Sequence, residues 1–290
     1  MSGKVRVLEF LQDNTKNKPN EDSLFASREG GLFAVADGVT RFVPQGKEYP
    51  NPSPASTVSE IFCLEAATQL TTARSEKMIR EVFGNANELI CRFNEGNGIT
   101  KETTDYLEND FAGCVGVLGA LTGNTLYYGY IGDCGLLVCD SSTLAPIFIT
   151  GNDLDMLEDF RDALHMFIAP RESKEARMLY WNQFLRNRPE ERYLTFGSLT
   201  GQEEALAYVK TGSVTLSPKD VAVFFSDGVM PYLFSRSFRD TLGSLMYNNK
   251  HSSEKESELK AEIERNMPQL RKLGFKNLDD DKAFIALQLT

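Results

Sequence analysis

Residues 32–38 read Leu-Phe-Ala-Val-Ala-Asp-Gly, a run of five apolar residues that stops at an aspartate and a glycine. Side chains on both faces of such a strand are apolar, so it would have to be covered on both sides. Residues 221–228, Val-Ala-Val-Phe-Phe-Ser-Asp-Gly, repeat the same pattern near the other end of the chain. Two such strands predict stacked sheets with helices outside them.

Further apolar runs rich in β-branched and aromatic residues also predict strands. The predicted strands cover residues 5–11, 24–27, 31–36, 112–121, 125–131, 136–139, 221–225 and 283–289. Gly123 and Asn124 predict a hairpin between two of them. Helical spacing predicts helices over 54–73 and 76–93 and a third from residue 253, which Pro268 is expected to kink or end. This order predicts an α+β fold of mainly antiparallel strands.

The composition is typical of a globular protein and excludes a mostly disordered chain. The 290 residues carry a formal net charge of −10, which argues against nucleic acid or a membrane surface as a partner, since both are anionic. No apolar run reaches the roughly 20 residues of a membrane span. Without a signal-peptide pattern, and with five cysteines that form no CxxC motif, a cytoplasmic location with reduced thiols is expected. The sequence does not predict an oligomeric state.

We expect a single domain over residues 1–290. The segment 153–200 connects two predicted strands and is too long for a plain turn. Its composition predicts a largely helical insertion within that domain.

Acidic residues stand at one end of five predicted strands. Asp37, Asp133 and Asp227 each follow a strand and have a glycine beside them. The pair Glu21-Asp22 and the run of aspartates at 279–281 each precede a strand. In antiparallel neighbours the end of one strand and the start of the next share an edge. Asp-Gly is also a common turn dipeptide, but its recurrence at strand ends predicts that these carboxylates converge.

Convergent carboxylates need a counter-charge, because like charges a few ångströms apart raise each other's pKa. A divalent cation would supply it. The ligands would be oxygens, and the histidines, His165 and His251, lie far from these motifs. This favours Mg²⁺ or Mn²⁺ over zinc.

Taken in order, the motifs resemble those of the PP2C-type (PPM) metal-dependent Ser/Thr protein phosphatases, in a divergent, prokaryotic-like branch. The motifs are Asn-Glu-Asp-Ser at 20–23, Phe-Ala-Val-Ala-Asp-Gly-Val at 33–39, Gly-Tyr-Ile-Gly-Asp at 129–133, Phe-Ser-Asp-Gly-Val at 225–229 and Asp-Asp-Lys-Ala at 280–283. The resemblance implies a four-layer α-β-β-α sandwich of two sheets, with the insertion as a flap. It also implies a centre of two Mn²⁺ or Mg²⁺ ions at one edge.

The resemblance assigns a role to each acidic residue. Asp37 would bridge both ions, and Asp227 and Asp280 would bind the first of them. Asp281 would replace Asp280 if the register shifted by one residue.

For the second ion, the implied ligands are Glu21 and the carbonyl of Gly38. Asp133 resembles the ligand of a third, weaker ion. Asp22 resembles the group that orients the attacking water. The implied reaction is direct hydrolysis of phosphoserine and phosphothreonine in a phosphoprotein by a metal-activated water, with Asp37, Asp22 and Asp227 as the catalytic residues.

The chain departs from the family pattern at two positions. Asn17 stands where many members have a phosphate-gripping arginine, and Val39 stands where some have a histidine. Lys18 and Arg41 are therefore the candidate phosphate-binding residues, although a lysine lacks the bidentate geometry of arginine.

Within the insertion, Arg186 and Arg188 either read the charge of a phosphopeptide or are solvated arginines on a helix. Two other functions stay open because of the two departures. The chain could be a weak or inactive PP2C-fold binding or regulatory module, or it could hydrolyse a small phosphoester.

Overall fold

A computed structural model describes residues 5–15, 18–39, 41–43, 46–69, 74–140, 142–152, 154, 178–190, 195–248 and 250–290. Within these ranges the strands are β1 (Val5–Gln12), β2 (Asp22–Ser27), β3 (Leu32–Gly38), β4 (Cys114–Thr122), β5 (Thr125–Ile131), β6 (Gly135–Cys139), β7 (Pro146–Ile149), β8 (Lys210–Thr215), β9 (Val221–Phe225) and β10 (Lys282–Leu289). The α-helices are α1 (Pro54–Thr68), α2 (Glu76–Gly96), α3 (Met230–Leu233), α4 (Arg236–Tyr247) and α5 (Ser252–Lys272).

The strands form two five-stranded sheets, and each named pairing is antiparallel. The first sheet has the order β1-β10-β9-β6-β7, and the second has the order β2-β3-β4-β5-β8. The α+β class predicted from the sequence is therefore confirmed. The hairpin between β4 and β5 turns at Gly123, whose φ of 61° lies in the left-handed region that favours glycine.

Three hydrophobic clusters divide the molecule into layers. One lies between the two sheets and contains the stacked rings of Phe33 and Phe224. The second lies between the β2-β3-β4-β5-β8 sheet and helices α1 and α2. The third lies between the other sheet and helices α3, α4 and α5. This is the α-β-β-α sandwich, in which β3, β9 and β10 are buried on both faces.

The predicted strands all occur, with ends that differ by a few residues. β7 and β8 were not predicted, because β7 is four residues long and largely exposed and β8 is a polar edge strand. Helices α3 and α4 were not predicted either. Pro268 does not end the third predicted helix, since α5 continues to Lys272. Pro268 and Glu264 are both exposed, so the Glu264 carbonyl that loses its helical donor can face water.

Within the predicted insertion, residues 153, 155–177 and 191–194 lie outside the described residues. The described part contains a π-helical turn at Trp181–Leu185 and a parallel bridge between Arg186 and Phe196. All five cysteines are unpaired, and four of them are buried. Among the described residues, the helices are too short or too polar to cross a membrane.

Candidate active site

Strand register brings the acidic motifs to one edge of the sandwich. In the β2–β3 pair, Asp22 lies directly opposite Asp37. In the β9–β10 pair, Phe225 lies opposite Phe284, so Asp227 lies beside the start of β10. The Ser226 hydroxyl donates a 2.7 Å hydrogen bond to Asp22 Oδ2 and so joins the edges of the two sheets.

The carboxylates at this edge are close enough to perturb one another. Burial raises the pKa of Asp37 well above its usual value, and the charges of neighbouring aspartates raise it further. These neighbours are Asp22, Asp227, Asp133 and Asp280. The edge therefore has a strong excess of negative charge, which is the setting in which a cation binds.

Asp227 belongs to the same cluster. Burial, with the charge of Asp280, raises the pKa of Asp227 to about 6, although hydrogen bonds from Asp37 and Asn277 oppose the shift. Asn277 Nδ2 donates to Asp227 Oδ2 at 2.6 Å.

Asp22 is a buried carboxyl with one oxygen unused. Its Oδ2 accepts the hydrogen bond from Ser226, whereas its Oδ1 has no hydrogen-bond partner among the described residues. Burial raises the pKa of Asp22 well above its usual value, against the opposing effect of the Ser226 hydrogen bond. A carboxyl with a raised pKa is a stronger base than an ordinary aspartate.

The three consecutive aspartates before β10 have different partners. Asp279 is exposed and pairs with Arg271 at 2.8 Å. Asp281 Oδ1 accepts from the backbone and side-chain nitrogens of Asn14, and its Oδ2 accepts from the Glu21 amide. Asp280 is the one that acts on the pKa values of Asp37 and Asp227. The geometry therefore favours Asp280 over Asp281 as a candidate ligand.

Glu21 is completely buried, and both of its carboxylate oxygens accept hydrogen bonds. Tyr49 and Ser53 donate to Oε1, each at 2.6 Å. Lys18 Nζ donates to Oε2 at 2.9 Å. Burial and the bond to Glu21 raise the pKa of Tyr49, so its phenol keeps the proton that it donates.

The ammonium of Lys18 lies among three carboxylates. Beyond Glu21, it lies 3.4 Å from Asp280 and 3.5 Å from Asp281. Burial by itself would lower the pKa of Lys18, but the hydrogen bond to Glu21 and the three negative charges outweigh it and raise the pKa. Contact between Lys18 and a substrate phosphate stays a prediction.

Gly38 has no room for a side chain. A Cβ at this position would lie 2.6 Å from the Ala55 carbonyl of α1 and 2.9 Å from the Glu21 carbonyl. The Gly38 amide also donates to the Glu21 carbonyl at 3.0 Å. The glycine of this Asp-Gly motif is thus required by the close packing of β3 on the first turn of α1.

The candidate phosphate contact Arg41 is held by Asp110 and Tyr49. Its Nη2 donates to the Asp110 carbonyl, and its amide donates to the Tyr49 hydroxyl at 3.3 Å. Its contact with a phosphate stays a prediction.

The sequence suggested that Arg186 reads the charge of a phosphopeptide or is a solvated arginine on a helix, and the structure agrees with neither. Arg186 is buried, and it forms a bidentate pair with Asp110 at 2.6 and 3.1 Å, so its role as an exposed reader of phosphopeptides is wrong. Arg188 is half-buried, and its guanidinium donates to the Gln183 carbonyl.

Only part of this edge fits a metal ion. The described ranges contain no group of three or more His, Cys, Asp and Glu side chains in a metal-holding arrangement. Asp37, Asp227 and Asp280 nevertheless have the chemistry for one hard cation, because they are oxygen donors whose mutual repulsion a cation would remove. Glu21 does not fit, since protein donors already bind both of its oxygens.

Four residues of this site were not identified from the sequence. Ser226 stands inside a quoted motif, and its place between Phe225 and Asp227 was the available signal. Asn277, Tyr49 and Asn14 reach the carboxylates from loops, and nothing in their local sequence indicates this. Cys134, next to Asp133, is buried, and burial raises its thiol pKa well above the usual value, so it is not a nucleophile.

Comparison with known proteins supports the fold. No family model and no curated protein matches the chain. Among solved structures, the Mycobacterium tuberculosis Ser/Thr phosphatase PstP/Ppp matches with a TM-score of 0.60 and 16% identity over 98% of both chains. The PstP catalytic domain with two manganese ions matches with a TM-score of 0.60 and 17% identity, over 99% of this chain and 98% of that one.

Two other bacterial structures align over nearly the whole chain. PppA of Pseudomonas aeruginosa, a key regulatory component of T6SS, has a TM-score of 0.57 and 16% identity over 100% of this chain and 99% of its own. The S. agalactiae Ser/Thr phosphatase has a TM-score of 0.57 and 13% identity over 99% of this chain and 100% of its own. The resemblance found in the motifs thus extends to the whole architecture, and the chain has the PP2C-type fold of the bacterial Ser/Thr phosphatases.

Proposed function

We propose that the protein is a Mn²⁺- or Mg²⁺-dependent phosphoprotein phosphatase that hydrolyses phosphoserine and phosphothreonine. The observation that carries this proposal is the convergence of Asp22, Asp37, Asp133, Asp227 and Asp280 at one edge of the sandwich, where the negative charges contribute to raising the pKa values of Asp22, Asp37 and Asp227. The whole-chain likeness to Ser/Thr phosphatases adds support at the level of the fold.

Asp37, Asp227 and Asp280 would hold the metal, and Asp133 stands beside them as a further carboxylate. A bound divalent cation would act as a Lewis acid that acidifies a water molecule and neutralises charge on the phosphoryl group. Asp22 Oδ1, buried and without a partner among the described residues, would accept a hydrogen bond from the attacking water and take its proton. Ser226 holds Asp22 in that orientation.

The test is hydrolysis of p-nitrophenyl phosphate and of a phosphothreonine peptide by metal-stripped protein, with Mn²⁺, Mg²⁺ or Ca²⁺ added back. We expect activity with Mn²⁺ or Mg²⁺. Asp37→Asn and Asp227→Asn should each lower kcat more than about a hundredfold, since loss of even an outer partner of a ligand costs about 10- to 100-fold. Asp240→Asn, an exposed aspartate on α4 that pairs with Arg236, is the control and should behave as wild type.

Absence of hydrolysis in folded, Mn²⁺-loaded protein would contradict this function. It would favour a second candidate, a PP2C-fold binding or regulatory module, for which the Lys18–Glu21 bond is the motivating observation. The ratio of kcat/KM on the peptide to kcat/KM on small phosphates separates a protein phosphatase from a small-molecule phosphoesterase.

A further inference from the structure

The carboxylate edge has two halves that differ in how their charge is compensated. At one end, the charges of Asp227 and Asp280 raise the pKa of Asp37, and the charge of Asp280 also raises the pKa of Asp227. At the other end, Glu21 is bound by an ammonium, a phenol and a hydroxyl. The resemblance implies a metal ion at each end. At the Glu21 end, however, the ammonium of Lys18 already compensates the negative charge.

A metal ion at Glu21 would have to displace bonds that the fold itself holds in place. Ser53 is completely buried and is also the N-cap of α1, where its hydroxyl accepts from the Ser56 amide at 2.9 Å. The Glu21 backbone is fixed as well, because its carbonyl accepts from the Gly38 amide and the Ser59 hydroxyl and its amide donates to Asp281. Freeing the Glu21 carboxylate would therefore disturb the start of β2 and the first turn of α1 together.

Lys18 already supplies a positive charge at this end. Its ammonium has carboxylate oxygens at 2.9, 3.4 and 3.5 Å, and its side chain is only 12% exposed. It is a cation tethered three residues before Glu21, so no diffusible ion is needed to compensate Glu21. A divalent ion brought to the Glu21 carboxylate would be repelled by it.

We propose that the Lys18 ammonium takes the place of the second metal ion at Glu21, so that the centre binds one divalent cation, at Asp37, Asp227 and Asp280. This inference rests on the proposed metal-dependent function and deepens it. It gives Lys18 a positioning and charge-compensating task in place of phosphate binding. It also gives the chain a mononuclear centre on a fold for which the resemblance implies a binuclear one.

The experiment measures metal stoichiometry and not activity. Metal-stripped protein is titrated with Mn²⁺ by calorimetry and by equilibrium dialysis with elemental analysis. Wild type should bind one Mn²⁺ per chain, and Asp227→Asn should lose it. Lys18→Ala exposes Glu21 and should gain a second Mn²⁺, visible also as a spin-coupled pair by electron paramagnetic resonance.

Matched variants isolate the ammonium. Lys18→Arg keeps the charge and should bind one ion, as should Lys77→Ala, which removes an exposed lysine paired with Glu81 on α2. The double variant Lys18→Ala/Glu21→Gln should return to one ion. Circular dichroism confirms that each variant is folded, and Lys18→Met serves if Lys18→Ala does not fold.

The outcomes separate this inference from the proposed function. Two Mn²⁺ per wild-type chain, one of them lost in Glu21→Gln, would overturn the inference that Lys18 replaces the second metal ion. The phosphatase proposal would remain intact. One ion in wild type and still one in folded Lys18→Ala and Lys18→Met would also overturn the role of Lys18. No bound Mn²⁺ in folded wild type would contradict the metal-dependent function itself and this inference with it.

Discussion

At the scale of single residues, the buried pair of Asp110 and Arg186 shows how one buried charge compensates another. Asp110 and Arg186 form a bidentate pair whose side chains are 5% and 1% exposed. Asn182 Nδ2 adds a further bond to Asp110 Oδ2 at 3.0 Å. Arg41 donates to the carbonyl of the same aspartate. Asp110 therefore ties the segment around Arg186 to the loop that leads into β4.

Asp110→Asn tests this role. It leaves the Arg186 guanidinium buried without its carboxylate, and breaking a buried pair from one side costs about 3–5 kcal/mol. We expect the free energy of unfolding, from urea titration, to fall by that amount. The control is Glu108→Gln, which removes an exposed pair with Lys47 and should cost less than about 1 kcal/mol. Equal effects of the two variants would contradict the structural role of the buried pair.

At the scale of secondary-structure elements, the N-cap of α1 makes a side-chain contact that the N-cap of α2 does not make. Both helices have a serine N-cap: Ser53 accepts from the Ser56 amide and Ser75 accepts from the Met78 amide. Only Ser53 also donates to Glu21. The first turn of α1 is therefore coupled to the carboxylate edge, whereas the first turn of α2 is not.

Ser53→Ala and Ser75→Ala form a matched pair for this difference. Loss of a serine N-cap costs about 1 kcal/mol, and loss of a hydrogen bond to a buried charged group adds about 1.5–3 kcal/mol. We expect Ser53→Ala to lower the free energy of unfolding by clearly more than Ser75→Ala. In a Glu21→Ala background the two serine variants should lower the free energy of unfolding by about the same amount. If a difference persisted in that background, it would not come from the contact between Ser53 and Glu21.

At the scale of the whole molecule, the sandwich gathers its acids where the edges of two sheets meet. Asp22 and Asp37 come from one sheet, whereas Asp227 and Asp280 flank strands of the other. The resulting repulsion exists only in the folded protein. The stability of the metal-free protein should therefore depend on whether these carboxyls are ionised.

The Asp227 pKa of about 6, against an ordinary 3.8, sets the direction of this dependence. The folded state holds this proton more tightly than the unfolded chain does. Its contribution to stability is therefore complete below about pH 3.8 and is lost as the pH rises through about 6. Without metal, Asp227→Asn should gain stability relative to wild type between pH 4 and pH 7, by on the order of 2 kcal/mol or about 4 °C in Tm.

Thermal denaturation of both proteins in metal-free buffer across this pH range is the measurement. Added Mn²⁺ should raise the Tm of wild type at pH 7 and leave the Tm of Asp227→Asn nearly unchanged, because only wild type keeps the carboxylate that would bind it. A difference in Tm that stays constant with pH would contradict the raised pKa of Asp227.

Local sequence pattern predicts the strands that are apolar on both faces, the position of the acidic residues at their ends and a helix that begins at residue 54. These features depend on local alternation, spacing and turn chemistry, which a sequence displays directly. These features predict the sandwich and the edge at which Asp37 and Asp227 meet. The polar edge strand β8, the helix α5 that continues past Pro268 and the burial of Arg186 did not follow, because local pattern does not report burial.

The partner of each carboxylate depends on the tertiary fold. Asp280 and Asp281 are indistinguishable in the sequence, yet Asn14 and the Glu21 amide donate to Asp281. Lys18 is a candidate phosphate ligand in the sequence because it is a cation near the motif, and the structure adds that its ammonium binds Glu21. The physical reason is that charge compensation acts through space over a few ångströms, between groups such as Asn14 and Asp281 that are hundreds of residues apart in the chain.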